Sequence, residues 1–153
     1  MMRSVFGVIF SCLFVVACGE ELTVEQQVIA TLRNMEYAAE EGRHLDFITH
    51  VADSFSGQQG TMDRREFHRF MIFQINQNRR LQAQFFPIFV DETGENLASA
   101  HFKILVTGGA GLLPESGQLF EVETQWLREA GAWLLAGADW EAVRIPDLPV
   151  MEN

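Results

Sequence analysis

The spacing of apolar residues changes at Leu81, and this change constrains the fold more than any other feature of the chain. Before Leu81, apolar residues recur three or four positions apart, which is the spacing of one helix face. After it, apolar and polar residues alternate, which is the pattern of half-buried strands. Helices followed by a series of strands are typical of an α+β domain. We therefore expect three helices packed on one face of a curved antiparallel sheet.

Two capping boxes predict where helices begin. Thr23 with Gln26, and Asp63 with Glu66, have the spacing at which each residue satisfies the other's backbone N–H. The first helix then buries one face, formed by Val24, Val28, Leu32, Met35 and Ala39, and Gly42 is predicted to end it. A second helix is predicted over residues 44–55. The third buries a face formed by Phe67, Phe70, Met71 and Ile75.

Four strand-length runs rich in Phe, Val, Ile and Trp follow. They cover residues 82–90, 97–107, 118–129 and 132–145. Residues 92–95 and 129–131 contain Gly at positions that suit tight hairpins. Residues 108–117 predict a longer loop.

The first eighteen residues have the pattern of an export signal. Arg3 supplies a positive start, and residues 5–16 form an apolar run of 12 residues. As a helix this run spans about 18 Å, short of the roughly 30 Å needed to cross a bilayer core. Its ending, Val15-Val16-Ala17-Cys18, resembles a bacterial lipobox. That resemblance implies cleavage before Cys18 and lipidation of its thiol and amine; the alternative is an ordinary cleaved signal. Gly19, by the same resemblance, implies outer-membrane attachment facing the periplasm.

The domain layout follows from these segments. We expect a signal peptide at 1–17, a lipidated N-terminus and tether at 18–23, a folded domain at 24–145 and a tail at 146–153. The formal charge of −10, with Lys103 as the one lysine, argues against a nucleic-acid partner. The two cysteines, Cys12 and Cys18, lie in or next to the signal, so no disulfide or cysteine metal site is expected in the domain. No metal or cofactor motif is found either.

The order of elements, together with several short motifs, resembles the nuclear-transport-factor-2-like (NTF2-like) cone fold from about Val24 to Val143. The motifs are Glu41-Gly42-Arg43, Val51-Ala52-Asp53, Met62-Asp63-Arg64 and a last strand that runs from Ala132-Trp133 to Trp140. The chain is similar in particular to small bacterial lipoproteins of that superfamily, which also includes SnoaL-like and ketosteroid-isomerase-like proteins. The resemblance implies a pocket between sheet and helices. In the enzymes of the superfamily, a carboxylate or histidine base there faces tyrosine or carboxyl donors.

The catalytic positions of the isomerase pattern do not match. The pattern places its helix-one tyrosine at Met35 and its base near Gln59, and Tyr37 lies two positions from the matching site. Two other groups could supply chemistry. His50 and Asp53 are three apart on the predicted second helix, where a base could meet an orienting carboxylate, or the pair could be a surface helix end.

The second group consists of paired carboxylates on neighbouring strands. Glu121 and Glu123 share one strand face, and Asp139 and Glu141 are similarly placed on the next strand. They could act as acid and base or hold a hard cation. The alternating face carries Phe120, Val122, Thr124 and Trp126, which favours solvent as the environment of the glutamates. Which face lines the pocket is left open by the sequence.

Three functions follow as hypotheses. The first is a lipid-anchored, non-catalytic periplasmic domain that binds a small apolar ligand or an envelope protein. The second is a lyase- or isomerase-like enzyme, and the third is a dimeric scaffold that pairs through the sheet, with Trp126 and Trp133 as anchors. The candidate pocket or interface residues are Met35, Phe67, Phe70, Met71, Phe102, Trp126, Trp133 and Trp140.

Overall fold

The computed structural model describes residues 21–77, 81–108 and 116–143. The helices are α1 (Val24–Glu40), α2 (His44–Thr49) and α3 (Arg64–Gln77). The strands are β1 (Val51–Gly57), β2 (Met62–Asp63), β3 (Gln82–Phe85), β4 (Phe89–Gly94), β5 (Leu97–Gly108), β6 (Ser116–Glu129) and β7 (Ala132–Ala142). The α+β class is confirmed. The predicted signal segment with Cys18, most of the predicted loop and the tail lie outside the described residues.

Both predicted helix starts are confirmed. The backbone N–H of Gln26 donates to the Thr23 hydroxyl at 3.2 Å, and that of Thr23 donates to the Gln26 side chain at 3.0 Å. At α3, the N–H of Glu66 donates to Asp63 Oδ1 at 2.8 Å, and that of Asp63 donates to Glu66 Oε2 at 2.9 Å. Gly42, at φ +72°, ends α1 as predicted, because this backbone conformation suits glycine.

The predicted second helix is too long. It ends at Thr49, and residues 51–57 form β1, which pairs in parallel with β7 through Val51 opposite Leu135 and Ser56 opposite Gly137. The N–H of Leu135 also donates to the carbonyl of His50 at 2.8 Å. Apolar residues at 48, 51, 52 and 55 satisfy a helical spacing, so only pairing with a strand more than 80 positions away could reveal β1. This pairing makes the sheet mixed, where an antiparallel sheet was predicted.

The sheet has the order β2-β1-β7-β6-β5-β3, and β4 also pairs with β5. Both predicted hairpins are confirmed, and the β6–β7 turn has Ala130 and Gly131 at positive φ, as a two-residue hairpin turn requires. The predicted strand 82–90 is divided into β3 and β4 at residues 86–88. Pro87 lies in this break, because proline cannot donate a ladder hydrogen bond.

One face of the sheet carries the core. Phe102 of β5 and three residues of β6, Val122, Thr124 and Trp126, point toward the helices and are buried. Glu121 and Glu123, which alternate with these residues on β6, are exposed on the outer face. Val28 and Leu32 of α1 and Phe67 of α3 pack in the same core. Within the described ranges, no helix is long and apolar enough to cross a membrane.

Candidate ligand-binding cavity

A cavity of about 260 Å³ lies between the helices and the inner face of the sheet. The helices contribute Leu32, Met35, Glu36, Ala39, Phe47, Phe67, Phe70, Met71 and Gln74. The sheet side contributes Leu81, Ala83, Phe85, Phe102, Ile104, Val106, Phe120, Val122, Thr124, Leu135, Ala138 and Trp140. Nearly every atom facing this space is therefore carbon.

Aromatic side chains form most of the wall. Phe70 stacks on Trp140 with ring centroids 5.5 Å apart, and Phe85 meets Phe102 at 5.1 Å. Small residues face these rings, including Ala39 on α1, Ala83 on β3 and Ala138 on β7. Since none of these alanines can reach across the gap, the space between helices and sheet stays unfilled.

Three polar side chains line the cavity. The Thr124 hydroxyl donates to the carbonyl of Ala100 at 3.0 Å and accepts from Trp126 Nε1 at 2.9 Å. Glu36 Oε2 accepts from Arg33 Nη1 at 2.9 Å. The third is Gln74 on α3.

The exposure of the lining residues shows where the cavity opens. Met35, Phe67 and Leu135 are buried, whereas the liners contributed by the later half of α3, by β3 and by the facing part of β5 are partly exposed. Glu36 lies on this side, since Arg33, its ion-pair partner, rests over the ring of Phe85 at 5.0 Å from the ring centroid. Solvent therefore reaches the cavity between α1, α3 and β3.

Six of the eight pocket candidates line the cavity: Met35, Phe67, Phe70, Met71, Phe102 and Trp140. Trp126 and Trp133 are not among the lining residues, and they are only 1% and 5% exposed. As anchors of an interface these two were placed wrongly, because both are enclosed by their own chain. Trp133 Nε1 is buried and has no hydrogen-bond partner among the residues that the structure describes.

The proposed pair of His50 and Asp53 does not form on one helix. His50 caps the end of α2, and Asp53 lies in β1 with its side chain fully exposed, 3.6 Å from Arg64 Nε. Burial lowers the pKa of His50, and the charge of Asp46 opposes that shift. Neither His50 nor Asp53 lines the cavity.

The two positions that the isomerase pattern assigns, Met35 and Gln59, also lie apart in the structure. Met35 faces the cavity, but Gln59 lies in an exposed turn at φ 58°, where its N–H donates to Asp139 Oδ1 at 2.7 Å. The residue at 59 is therefore outside the cavity whatever its type. The departures from the isomerase pattern concern both the side chains and their placement.

The paired carboxylates lie on the outer face of the sheet. Glu121 is opposite Glu141, and Glu123 is opposite Asp139. On the other side, Lys103 is opposite Glu121 and His101 is opposite Glu123. The cavity thus lies on the apolar face, and in the described ranges no cluster of three or more metal-ligating side chains is present.

Two side-chain pairs were missed by the sequence reasoning, and of these only the first includes a residue that lines the cavity. The ion pair of Arg33 and Glu36 was not singled out, although its i,i+3 spacing beside the predicted apolar face of α1 was a usable signal. His44 Nδ1 and His68 Nε2 lie 3.1 Å apart. Burial lowers the pKa of His68, as do the nearby charges of His44 and Arg64. No sequence pattern connects two histidines 24 positions apart.

Comparisons with known proteins agree on the fold. No family model and no curated protein matches the sequence. Among solved structures, a candidate dehydratase of the NTF2-like family from Streptomyces avermitilis superimposes with a TM-score of 0.67 at 18% identity, covering 78% of this chain and 96% of that one. An NTF2-like protein of unknown function from Pseudomonas putida KT2440 gives 0.67 at 13% identity, with coverages of 84% and 91%.

A third similar structure, Bd1075 of Bdellovibrio bacteriovorus, has a TM-score of 0.67 at 6% identity, over 77% of this chain. This chain spans only 41% of the length of Bd1075. The fold and the cavity together define a class of small α+β domains whose helices close a curved sheet around an apolar space. The fold of this protein is the NTF2-like fold.

Proposed function

We propose that the protein is a non-catalytic domain, anchored by lipid on Cys18 in the bacterial envelope facing the periplasm, that binds a small apolar ligand in its cavity. The observation that carries the binding proposal is the lining itself. It combines seven aromatic side chains with aliphatic ones, and the buried polar group at its base, Thr124, already has partners. A pocket lined in this way favours a ligand that brings carbon surface and few polar groups.

The cavity volume indicates the size of the ligand. An engineered apolar cavity of about 150 Å³ in another protein stays free of water and takes up benzene. This cavity, at about 260 Å³, has room for a fused two-ring hydrocarbon or a branched chain of similar size. Burying such a molecule stabilises the complex by about 25 cal/mol for each Å² of apolar surface removed from water.

The distribution of ionisable groups supports binding over catalysis. Among the described lining residues, Glu36 is the ionisable one, and Arg33 already neutralises it. The acid–base candidates His50, Asp53, Glu121 and Glu123 all lie outside the cavity. A turnover in which these groups act would have to take place at another surface of the protein.

The binding proposal is tested with naphthalene and a variant that fills the opening. Ala83 on β3 lines the cavity, whereas Gln84, the next residue, is exposed on the other side of the strand. We expect naphthalene to raise the Tm of the chain from residue 19 onward, because a ligand present at ten times its Kd stabilises by about 1.4 kcal/mol. Ala83→Trp should abolish this rise, and Gln84→Trp should retain it.

Two results would overturn the proposal. One is an unchanged Tm of the unsubstituted chain at saturating naphthalene. The other is a rise in Ala83→Trp as large as in Gln84→Trp, since that would place the ligand outside the cavity. Calorimetric titration of both variants gives the same comparison without heating.

The outer face of the sheet supports homodimerisation as a second candidate. Its acidic residues, Glu121, Glu123, Asp139 and Glu141, lie beside His101 and Lys103, and Phe89 is 56% exposed while stacking on His101. A two-fold axis could place the basic positions of one copy against the acidic positions of the other. Native mass spectrometry should then detect a dimer that Lys103→Glu weakens, and a monomer at all concentrations would exclude it.

A further inference from the structure

We infer that the cavity selects apolar molecules that carry an amine, with Glu36 and the ring of Phe85 holding the ammonium group at the opening. This inference rests on the proposed binding function and adds the chemical class of the ligand. Its central observation is that these two groups already hold a cation. Arg33 donates to Glu36 at 2.9 Å while its guanidinium lies 5.0 Å from the Phe85 ring centroid.

The two groups that hold Arg33 both line the cavity, whereas Arg33 is not among the lining residues. The side chain of Glu36 is only 16% exposed, and Oε1 has no hydrogen-bond partner among the described residues. A carboxylate beside an aromatic face is the arrangement that favours organic cations, by charge and by the attraction of a cation to the ring. An ammonium on a molecule inside the cavity can reach the same corner from within.

Displacing Arg33 from Glu36 requires little free energy. Its side chain is 50% exposed, so it can turn into solvent without burying a charge. Because half of the Arg33 side chain is exposed, water and salt screen its attraction to Glu36. A ligand ammonium has the advantage that its apolar body is already held in the cavity, which raises its effective concentration next to Glu36.

The engaged hydroxyl of Thr124 and the net charge of the chain disfavour an anionic ligand. The hydroxyl of Thr124 is engaged with Ala100 and Trp126, so it does not offer a free donor to a carboxylate. An anion that paired with Arg33 at the opening would also come close to the negative charge of Glu36. The whole chain carries a formal charge of −10, which attracts cations and repels anions during approach.

Three probes with the same two-ring body separate these possibilities: naphthylmethylamine, naphthylmethanol and naphthoate, measured by calorimetric titration at pH 7. We expect the amine to bind most tightly and naphthoate most weakly. Glu36→Gln should weaken binding of the amine by about fivefold or more, since a charged hydrogen bond is lost, and leave naphthylmethanol nearly unchanged. Glu41→Gln, which removes an exposed carboxylate just after the same helix, is the matched control.

The substitution Arg33→Gln has a different expected effect on binding in each of the two cases. If an ammonium replaces Arg33, removing this competitor should strengthen binding of naphthylmethylamine. If Arg33 instead holds an anionic group, the same substitution should weaken binding of naphthoate and leave the amine unchanged, which would overturn the inference. Equal affinities for all three probes would also overturn it, yet would leave the apolar binding function standing. If naphthalene itself does not bind, the proposed binding function is wrong, whatever the ranking of the three probes.

Discussion

His50 lies partly buried where α2 ends and β1 begins, and it is a residue at which folding and protonation are coupled. Burial lowers the pKa of its imidazole in the folded state below the ordinary value of 6.5. Below that pH the unfolded chain binds the proton more readily than the folded chain does. His50 therefore costs stability as the pH falls through 6.5 and costs nothing above it.

We predict that His50→Gln reduces the loss of folding free energy between pH 7.5 and pH 5.5. Urea unfolding at the two pH values measures this loss in the variant and in the unsubstituted chain. His101→Gln, which removes an exposed imidazole from the outer face of the sheet, is the control for loss of one histidine. An identical pH dependence in His50→Gln and the unsubstituted chain would show that protonation of His50 is not coupled to folding.

At the scale of single residues, the sequence predicted correctly which face of a strand a side chain lies on, but it did not predict whether that face is covered. Alternation assigned Trp126 to the apolar face of β6, and the structure places it there at 1% exposure. Whether a neighbouring element covers that face depends on the helices, which the strand pattern does not describe. Trp126 and Trp133 were therefore predicted as possible interface anchors although α1, α2 and α3 belong to the same core.

The α3 helix supplies four lining residues, so its start controls one wall of the cavity. Asp63 caps it by accepting from the N–H of Glu66 at 2.8 Å. We predict that Asp63→Ala lowers the free energy of unfolding by about 1 kcal/mol, the usual cost of losing an N-cap. Chemical denaturation of the variant measures this change.

Asp53→Ala is the control for the cap substitution, because it removes an exposed aspartate from the neighbouring strand β1. It should leave stability close to that of the unsubstituted chain. A loss in Asp53→Ala equal to that in Asp63→Ala would mean that removal of charge, rather than removal of the cap, explains the effect.

Local signals predicted the elements whose ends are defined locally. The capping boxes of α1 and α3 and the glycine-containing hairpin turns need only a few adjacent residues, and all were predicted correctly. The strand β1 depends on β7, and its apolar spacing also suits a helix. The same dependence explains why the sheet was predicted as antiparallel throughout.

At the scale of the whole molecule, the α+β class followed from the order of helices and strands, and six lining residues were predicted as pocket candidates. The cavity itself was not derivable from composition, because its volume is the gap left after all side chains pack. Ala39, Ala83 and Ala138 matter there as much as the aromatic residues do. Alanine on an apolar face gives no sign that it borders a space rather than a close contact.

At the scale of the whole molecule, the proposed lipid anchor would decide where the cavity works. If Cys18 is the lipidated first residue, mass spectrometry of the membrane-extracted protein should find a chain that begins at Cys18 and carries three acyl chains. Each buried methylene contributes about 0.8 kcal/mol, so such an anchor would not dissociate appreciably. Cys18→Ala should lack the acyl mass, whereas Cys12→Ala, altered within the predicted signal, should keep it.

Mass is the decisive readout for the anchor because Cys18→Ala could stay on the membrane through an uncut signal segment. A mature chain that starts elsewhere, or one that begins at Cys18 without acyl mass, would contradict lipidation. In that case, the cavity would belong to a protein without a lipid anchor. A lipidated chain would instead hold its cavity within a tether's reach of the bilayer, where apolar amines concentrate against anionic lipids.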